Sequence, residues 1–247
     1  MHRFYVNQDQ INQDSIMITG PDVNHIRNVL RMKQGDELII CNGQGKDCYC
    51  IIIRVADTII EAQIKSITDT GTELPARITL FQGLPKKDKM ELIIQKAVEL
   101  GIYEIIPVMT ARCVVKLEDK KKEEKKLERW QAIAESAAKQ SNRGYLPKVL
   151  PVISFKEAMK RAAAMDLAVI PYENASGIQA TKDIIGRLTK NTDIGILIGP
   201  EGGFEEAEID LARSSDITPI TLGRRILRTE TAGFALLSMM MLALEEE

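Results

Sequence analysis

Three short stretches hold the residue types that could do chemistry. LGRRILRTETA (222–232) sets three arginines and a Thr-Glu-Thr against the start of a strongly apolar helical run. IGPEGGF (198–204) puts Glu201 among glycines and a proline, and PYENASG (171–177) carries Glu173. Each follows a strand-like run and precedes a helical one. Glycine after a strand usually suggests a phosphate cradle. Neither G-x-x-x-x-G-K-[ST] nor G-x-G-x-x-G is present, however, and Glu201 sits inside the loop that would surround an anion, with Glu173 and Glu230 in the neighbouring loops. Gly, Pro and carboxylate suit a neutral or cationic ligand held by backbone groups, because glycine lets a ligand approach the chain closely. A nucleoside bearing a sulfonium fits that chemistry better than a triphosphate or NAD. Thr229 reads as the N-cap of the last helix, with Glu230 in its first turn. Arg228 has no such local explanation, since neither capping nor the helix dipole favours a cation at a helix start.

The elements that position these loops show two textures. Up to about residue 70, the β-branched runs DELIICN, DCYCIIIRV and TIIEAQIKSI are divided by turn-like NGQGKD and ADT, which predicts a small antiparallel sheet or barrel. One helix interrupts it. Asp22 is placed to cap PDVNHIRNVLRM, with Val23, Ile26, Val29 and Leu30 on one face. TDTGTELPAR reads as a linker. Beyond it, strands (ITLFQG, YEIIPVM, LAVIPY, DIGILIG, TPITLG) alternate with helical patterns, which implies a mostly parallel sheet covered on both faces. In KKDKMELIIQKAVELG, Met90, Ile93, Ile94, Ala97 and Val98 share a face and Gly101 ends the helix. Ser154 and Glu157 form a candidate capping box. In such sheets ligands collect beyond the carboxyl ends of the strands, where the three loops lie.

Composition narrows the class. The chain has 247 residues, 45% of them hydrophobic, enough for one large or two smaller domains. The N-terminus lacks a signal-peptide core and no run reaches the roughly 18 apolar residues of a membrane helix, so a cytoplasmic protein with no membrane partner is expected. Cys41, Cys48, Cys50 and Cys113 fit neither a zinc pair nor a disulfide framework, and with only His2 and His25 available no metal site is expected. Residues 75–148 carry sixteen basic and ten acidic side chains, whereas both flanking thirds are acidic. Part of that excess lies in LEDKKKEEKKLERW, whose mixed signs suit a solvated helix face. Lys86, Lys87 and Arg143 flank loops and are better candidates for nucleic-acid phosphate. His25, Arg27 and Arg31 lie at helical spacing and read either as surface ion-pairing groups or as RNA contacts.

HRFYV, HIRNVLR, QKAVELGIYEIIP, AAKQSNRGYLPKV, IGPEGGF and LGRRILRTETA, in this order along nearly the whole chain, closely resemble the RsmE family of ribosomal RNA methyltransferases. The resemblance implies a PUA-like RNA-binding β-barrel at 1–72. It further implies a SPOUT domain at 73–247, an α/β fold whose mostly parallel sheet, flanked by helices, is tied in a C-terminal trefoil knot. The implied activity is methylation of N3 of a uridine in the decoding region of 16S rRNA, with S-adenosylmethionine (SAM) as cofactor and 16S rRNA or the small ribosomal subunit as partner. Carried onto this chain, the cofactor site would comprise Ile198, Gly199, Pro200, Gly202 and Gly203, then Leu222, Gly223, Ile226, Leu227, Arg228, Thr231 and Ala232, with Pro171 and Glu173 closing a third side. Arg3 joins His25, Arg27, Arg31, Lys86, Lys87 and Arg143 as an expected RNA contact. Arg228 would stabilise negative charge on uracil O2 and O4 as the N3 proton leaves, and Glu201, Glu230 or solvent would accept the proton. The last helix, AGFALLSMMMLAL, is apolar nearly all round and is expected to form a homodimer seam beside the site. Two other readings remain: an RNA-binding assembly factor without catalysis, which would not bind SAM, and a nucleotide-phosphate enzyme, which would bind ATP or NAD.

Overall fold

Alternating apolar residues in the first seventy positions assemble a five-stranded sheet in the computed structural model, which describes residues 1–114, 120–175 and 177–245. Its strands are β1 (His2–Tyr5), β2 (Ser15–Ile18), β3 (Glu37–Cys41), β4 (Lys46–Val55) and β5 (Ile60–Asp69), in the order β1-β3-β4-β5-β2. The β1 and β3 strands pair in parallel and the other neighbours are antiparallel. Leu38, Ile40, Cys48, Cys50, Ile52, Ile60 and Ala62 turn inward around Phe4, Ile16 and Ile18. Burial pushes the Cys41 and Cys50 thiols up to about 11 and about 12, so both remain protonated at neutral pH.

The helix expected at 21–32 is shorter and irregular. Its α part is α1 (Pro21–Asn24), capped at Gly20, and it continues as a π turn over His25–Val29. Asp22 therefore lies in the first turn and is not the cap. The wider turn keeps Val23 and Ile26 in the core but rotates Val29 outward, to 61% exposure.

The chain divides into two compact units, residues 1–73 with 142–146, and 74–141 with 147–247. Within the first, Arg143 is only 3% exposed, and its guanidinium meets the Glu73 carboxylate at 2.6–2.9 Å. Glu73 also accepts from the Gly144 and Tyr145 N–H groups. Arg3 is tied to Asp47 at 2.9 Å and donates to the Arg143 carbonyl. Both arginines were expected at RNA. Both instead fix 142–146 to the sheet, so neither presents a free guanidinium to phosphate.

The second unit is a sheet with every strand pair parallel, ordered β12-β10-β11-β6-β7-β8, with β9 also beside β7. Its strands are β6 (Arg77–Gly83), β7 (Glu104–Met109), β8 (Lys148–Val149), β9 (Ile153–Ser154), β10 (Leu167–Pro171), β11 (Asp193–Ile198) and β12 (Thr218–Ile220). The helices are α2 (Lys89–Glu99), α3 (Lys120–Gln140), α4 (Phe155–Ala162), α5 (Ile178–Ile185), α6 (Glu206–Ser214) and α7 (Thr229–Leu244). Phe81, Ile106, Ile170 and Leu197 pack under α4 and α6, while α7 packs on β11 and α2. All five apolar residues expected on one face of α2 are buried. The α2 helix ends as expected at Gly101, whose φ of +91° suits glycine. Ser154 caps α4, its Oγ accepting from the Glu157 N–H at 3.2 Å. The charged run 117–130 falls on exposed α3 up to buried Trp130, with 117–119 outside the described residues.

Candidate functional site

Because β6 runs on to β7 on one side while β11 lies on its other side, the strand order reverses at the β6–β11 pair. A crevice forms beyond the carboxyl ends of strands at such a point. Here it is a cavity of about 550 Å³, walled by the three loops singled out above. Pro171 ends β10, and Tyr172 and Glu173 follow it; Ile198 ends β11, and Gly199 through Phe204 follow it; Leu222, Arg225 through Thr229, and Ala232 lead into and enter α7.

Close packing of backbones fixes the loop after β11. A Cβ built on Gly83 would fall 2.7 Å from Pro200 Cδ and 2.8 Å from its nitrogen, so β6 and this loop touch through glycine. Gly203 has φ +67°. Thr229 ties the loop to α7: its Oγ1 donates to the Gly199 carbonyl at 2.6 Å and accepts from fully buried Gln82 Nε2 at 2.9 Å. Thr229 is thus the first residue of α7 and not its N-cap. That position belongs to Arg228, which makes no capping bond with its side chain. Thr229→Val keeps the shape and removes both bonds, leaving buried acceptor and donor groups unpaired. It should lower stability by about 1–3 kcal/mol, read as a shift of the denaturant midpoint at unchanged slope.

Charge in the cavity is arranged partly by Lys89 and Arg112, which were not expected at the cofactor site. Lys89, first in α2, lies 3.1 Å from Glu201 Oε1 and 3.4 Å from Glu230 Oε2. The second contact is at ion-pair distance without hydrogen-bond geometry, since Glu230 Oε2 is buried with no hydrogen-bond partner among the described residues. The Lys86 N–H reaches both Glu201 oxygens at 3.2 Å. Burial alone would raise the Glu201 pKa; its own N–H, the Lys89 ammonium and the Lys86 N–H outweigh that and hold it below the usual carboxylate value. From the loop after β7, Arg112 donates to the Gly202 carbonyl at 2.8 Å. Arg228 is exposed in the cavity wall and makes no side-chain hydrogen bond or ion pair among the described residues. The walls thus offer backbone groups, aliphatic faces from Ile198, Leu222, Ile226 and Leu227, carboxylates and a free guanidinium. A nucleoside carrying positive charge fits that donor set.

Residues 72–241 match the family described as RNA methyltransferase domain, and residues 18–65 match RNA methyltransferase PUA domain. Ribosomal RNA small subunit methyltransferase E of Bacillus subtilis is 41% identical over 244 residues, covering 96% of this chain and 95% of its own. The chain belongs to the RsmE family. Solved structures agree. The Neisseria gonorrhoeae RsmE bound to S-adenosyl methionine superposes with a TM-score of 0.79 at 33% identity, over 96% of this chain and 95% of that one. A methyltransferase from Legionella pneumophila in complex with SAM gives 0.80 at 32%, over 98% and 97%.

Of the RsmE cofactor residues expected from sequence, Pro171, Glu173, Ile198, Gly199, Pro200, Gly202, Gly203, Leu222, Ile226, Leu227, Arg228 and Ala232 line the cavity. Gly223 and Thr231 do not, and Ser176 of the PYENASG loop lies outside the described residues. Lys89, Arg112, Tyr172 and Phe204 line it without having been expected. On the N-terminal sheet, Arg27 pairs with Asp57 at 2.7 Å, and His25 meets Phe4 edge-on with ring centres 6.1 Å apart. Arg31 is exposed in a left-handed conformation. No described helix is long and apolar enough to cross a membrane, and no metal-binding cluster occurs among the described residues.

Proposed function

We propose that this chain methylates N3 of a uridine in the decoding region of 16S rRNA, using SAM held in the cavity at the β6–β11 switch point. The observation that carries this reading is the cavity's donor set, which combines backbone, aliphatic and carboxylate groups without a phosphate cradle, in a chain of the RsmE family. SAM supplies an electrophilic methyl group on a sulfonium. The Gly199–Gly203 loop and the Leu222–Leu227 loop would hold it, with Pro171 and Glu173 on the third side. For nitrogen to attack, the N3 proton must leave, and the negative charge left on uracil spreads to O2 and O4. Arg228 carries the guanidinium that would stabilise it, because it stands in the wall with no partner to neutralise it among the described residues.

The remaining parts are proposed on the same footing. Residues 1–72 serve as the PUA-like RNA-binding domain and 73–247 as the SPOUT domain, with the trefoil knot in its C-terminal part. His25, Arg27, Arg31, Lys86 and Lys87 contact RNA; Arg3 and Arg143, whose guanidinium groups are engaged by Asp47 and Glu73, are given a structural role in this reading. A homodimer forms along α7, where Leu242 stays 78% and Met239 37% exposed on an almost wholly apolar helix. The site of action is the cytoplasm, on 16S rRNA or the small subunit. The test is nucleoside mass spectrometry of small subunits lacking the modification after incubation with the protein and SAM. One 3-methyluridine per 16S rRNA is expected. SAM binding with no methylated nucleoside in either RNA or subunit would favour the assembly-factor reading.

A further inference from the structure

A lysine at the first position of a helix is locally unfavourable, because the helix dipole presents its positive end there. Lys89 occupies that position in α2, after a turn that holds Lys87 at φ +57°, a conformation few non-glycine residues adopt. Local preference does not account for this arrangement; the partners do. The turn aims the Lys86 N–H and the Lys89 ammonium at one carboxylate, Glu201, in the loop after β11. The same ammonium faces Glu230 in the first turn of α7. One cation on α2 therefore bridges the two segments that must keep a fixed separation for the cavity to hold its ligand.

We propose that Lys89 is a positioning residue for methyl transfer: by bridging Glu201 and Glu230 it locks the loop after β11 against α7 and, together with the Lys86 N–H, keeps the Glu201 carboxylate occupied as a structural acceptor. The proposal rests on the SAM-dependent reading above. It sets Glu201 aside as acceptor of the N3 proton, since that carboxylate is held by two donors from the α2 turn. Sequence alone treated both glutamates as candidate bases and gave the lysine no role at the cofactor site.

The bridge has a pH signature. Lys89 from α2 faces Glu201 and, on α7, Glu230, with Arg112, Arg225, Arg228 and Glu173 around the same cavity. Lys89 is one cause of the lowered Glu201 pKa, and the two carboxylates raise that of Lys89, Glu201 contributing most. A depressed carboxylate keeps its stabilising contact above its ordinary pKa and loses it as pH falls through the depressed folded value. SAM affinity in the native protein should thus hold to below the usual carboxylate range, and removing Lys89 should bring the acid loss to higher pH.

The experiment is calorimetric titration with SAM across pH for the full chain and for Lys89→Met, Lys89→Arg, Glu201→Gln and the Lys89→Met/Glu201→Gln double variant, with single-turnover methyl transfer at saturating SAM. Lys89→Met should weaken SAM binding about tenfold or more while changing the saturated rate less than about threefold, and Lys89→Arg should recover most of the affinity. Glu201→Gln should weaken binding in the same direction, and the double variant should lose less than the sum of the two single losses, because both break the Lys89–Glu201 contact. If Lys89→Met does not fold, Glu201→Gln still tests the bridge. Unchanged affinity and pH profile in either single variant would overturn the proposal, as would a lost rate at saturating SAM with affinity intact. Absence of SAM binding by the unmodified chain would instead overturn the methyltransferase reading itself.

Discussion

Arg228→Ala should lower the methyl-transfer rate about a hundred- to a thousandfold, the usual loss when one preorganised donor to a developing anion is removed. The expectation follows from how little else Arg228 does. It occupies the N-cap of α7 without capping it, makes no side-chain hydrogen bond or ion pair among the described residues, and lines the cavity wall. A structural arginine would resemble Arg143, which is buried against Glu73. Arg228 can be removed without leaving a partner unsatisfied, so the melting temperature should hold and SAM affinity should stay within about threefold. Arg228→Lys should restore part of the rate, since the charge remains while the planar donor fork is lost. Near-normal turnover in Arg228→Ala would sink the assignment.

Gly199→Val should abolish SAM binding at any practical concentration, a loss of at least about a hundredfold, or ~2.7 kcal/mol. A Cβ built there falls 3.2 Å from the Gly203 Cα and carbonyl carbon and 3.2 Å from Phe204 Cε2. Backbone atoms cannot step aside as a side-chain end can. The Gly199 carbonyl is moreover held by Thr229, so the strain must pass to the Gly199–Gly203 wall. Valine's two methyl groups extend the clash beyond what alanine would cause, and Gly199→Ala should show a smaller loss. Gly202 is confined too. Its added Cβ would fall 3.1 Å from Arg112 Cβ, an atom fixed to the backbone of the loop after β7, so Gly202→Ala should also strain this wall, though with less added bulk than Gly199→Val. Retained SAM affinity in folded Gly199→Val would place the cofactor elsewhere.

What was legible in the sequence is what local pattern determines. The apolar face of α2, the cap at Ser154 and the three loops at strand ends follow from periodicity and turn chemistry, and the structure keeps them. The misses have tertiary causes. Val29 fits an ideal helix face, but a π turn, invisible in a period of 3.6, rotates it outward. Thr229 has the right type for a cap, yet a buried carbonyl more than two dozen residues away takes its hydroxyl. Arg143 looked like a loop cation for phosphate because its partner, Glu73, lies 70 positions earlier. Lys89 was given no role at the cofactor site for the same reason: its carboxylates arrive from the loop after β11 and from α7, over a hundred residues away. The available signal was a cation at a helix start, the same conflict that drew attention to Arg228. Arg112 gave no such signal, because the stretch around it, TARCVV (110–115), has neither the glycines nor the carboxylates of the other three.

The central claim is that the cavity between β10, β11 and α7 binds SAM. Calorimetric titration of the purified chain with SAM, with ATP and NAD as controls, tests it most directly. The account predicts one SAM per chain and no heat of binding from ATP or NAD. Binding of ATP or NAD in place of SAM would contradict it.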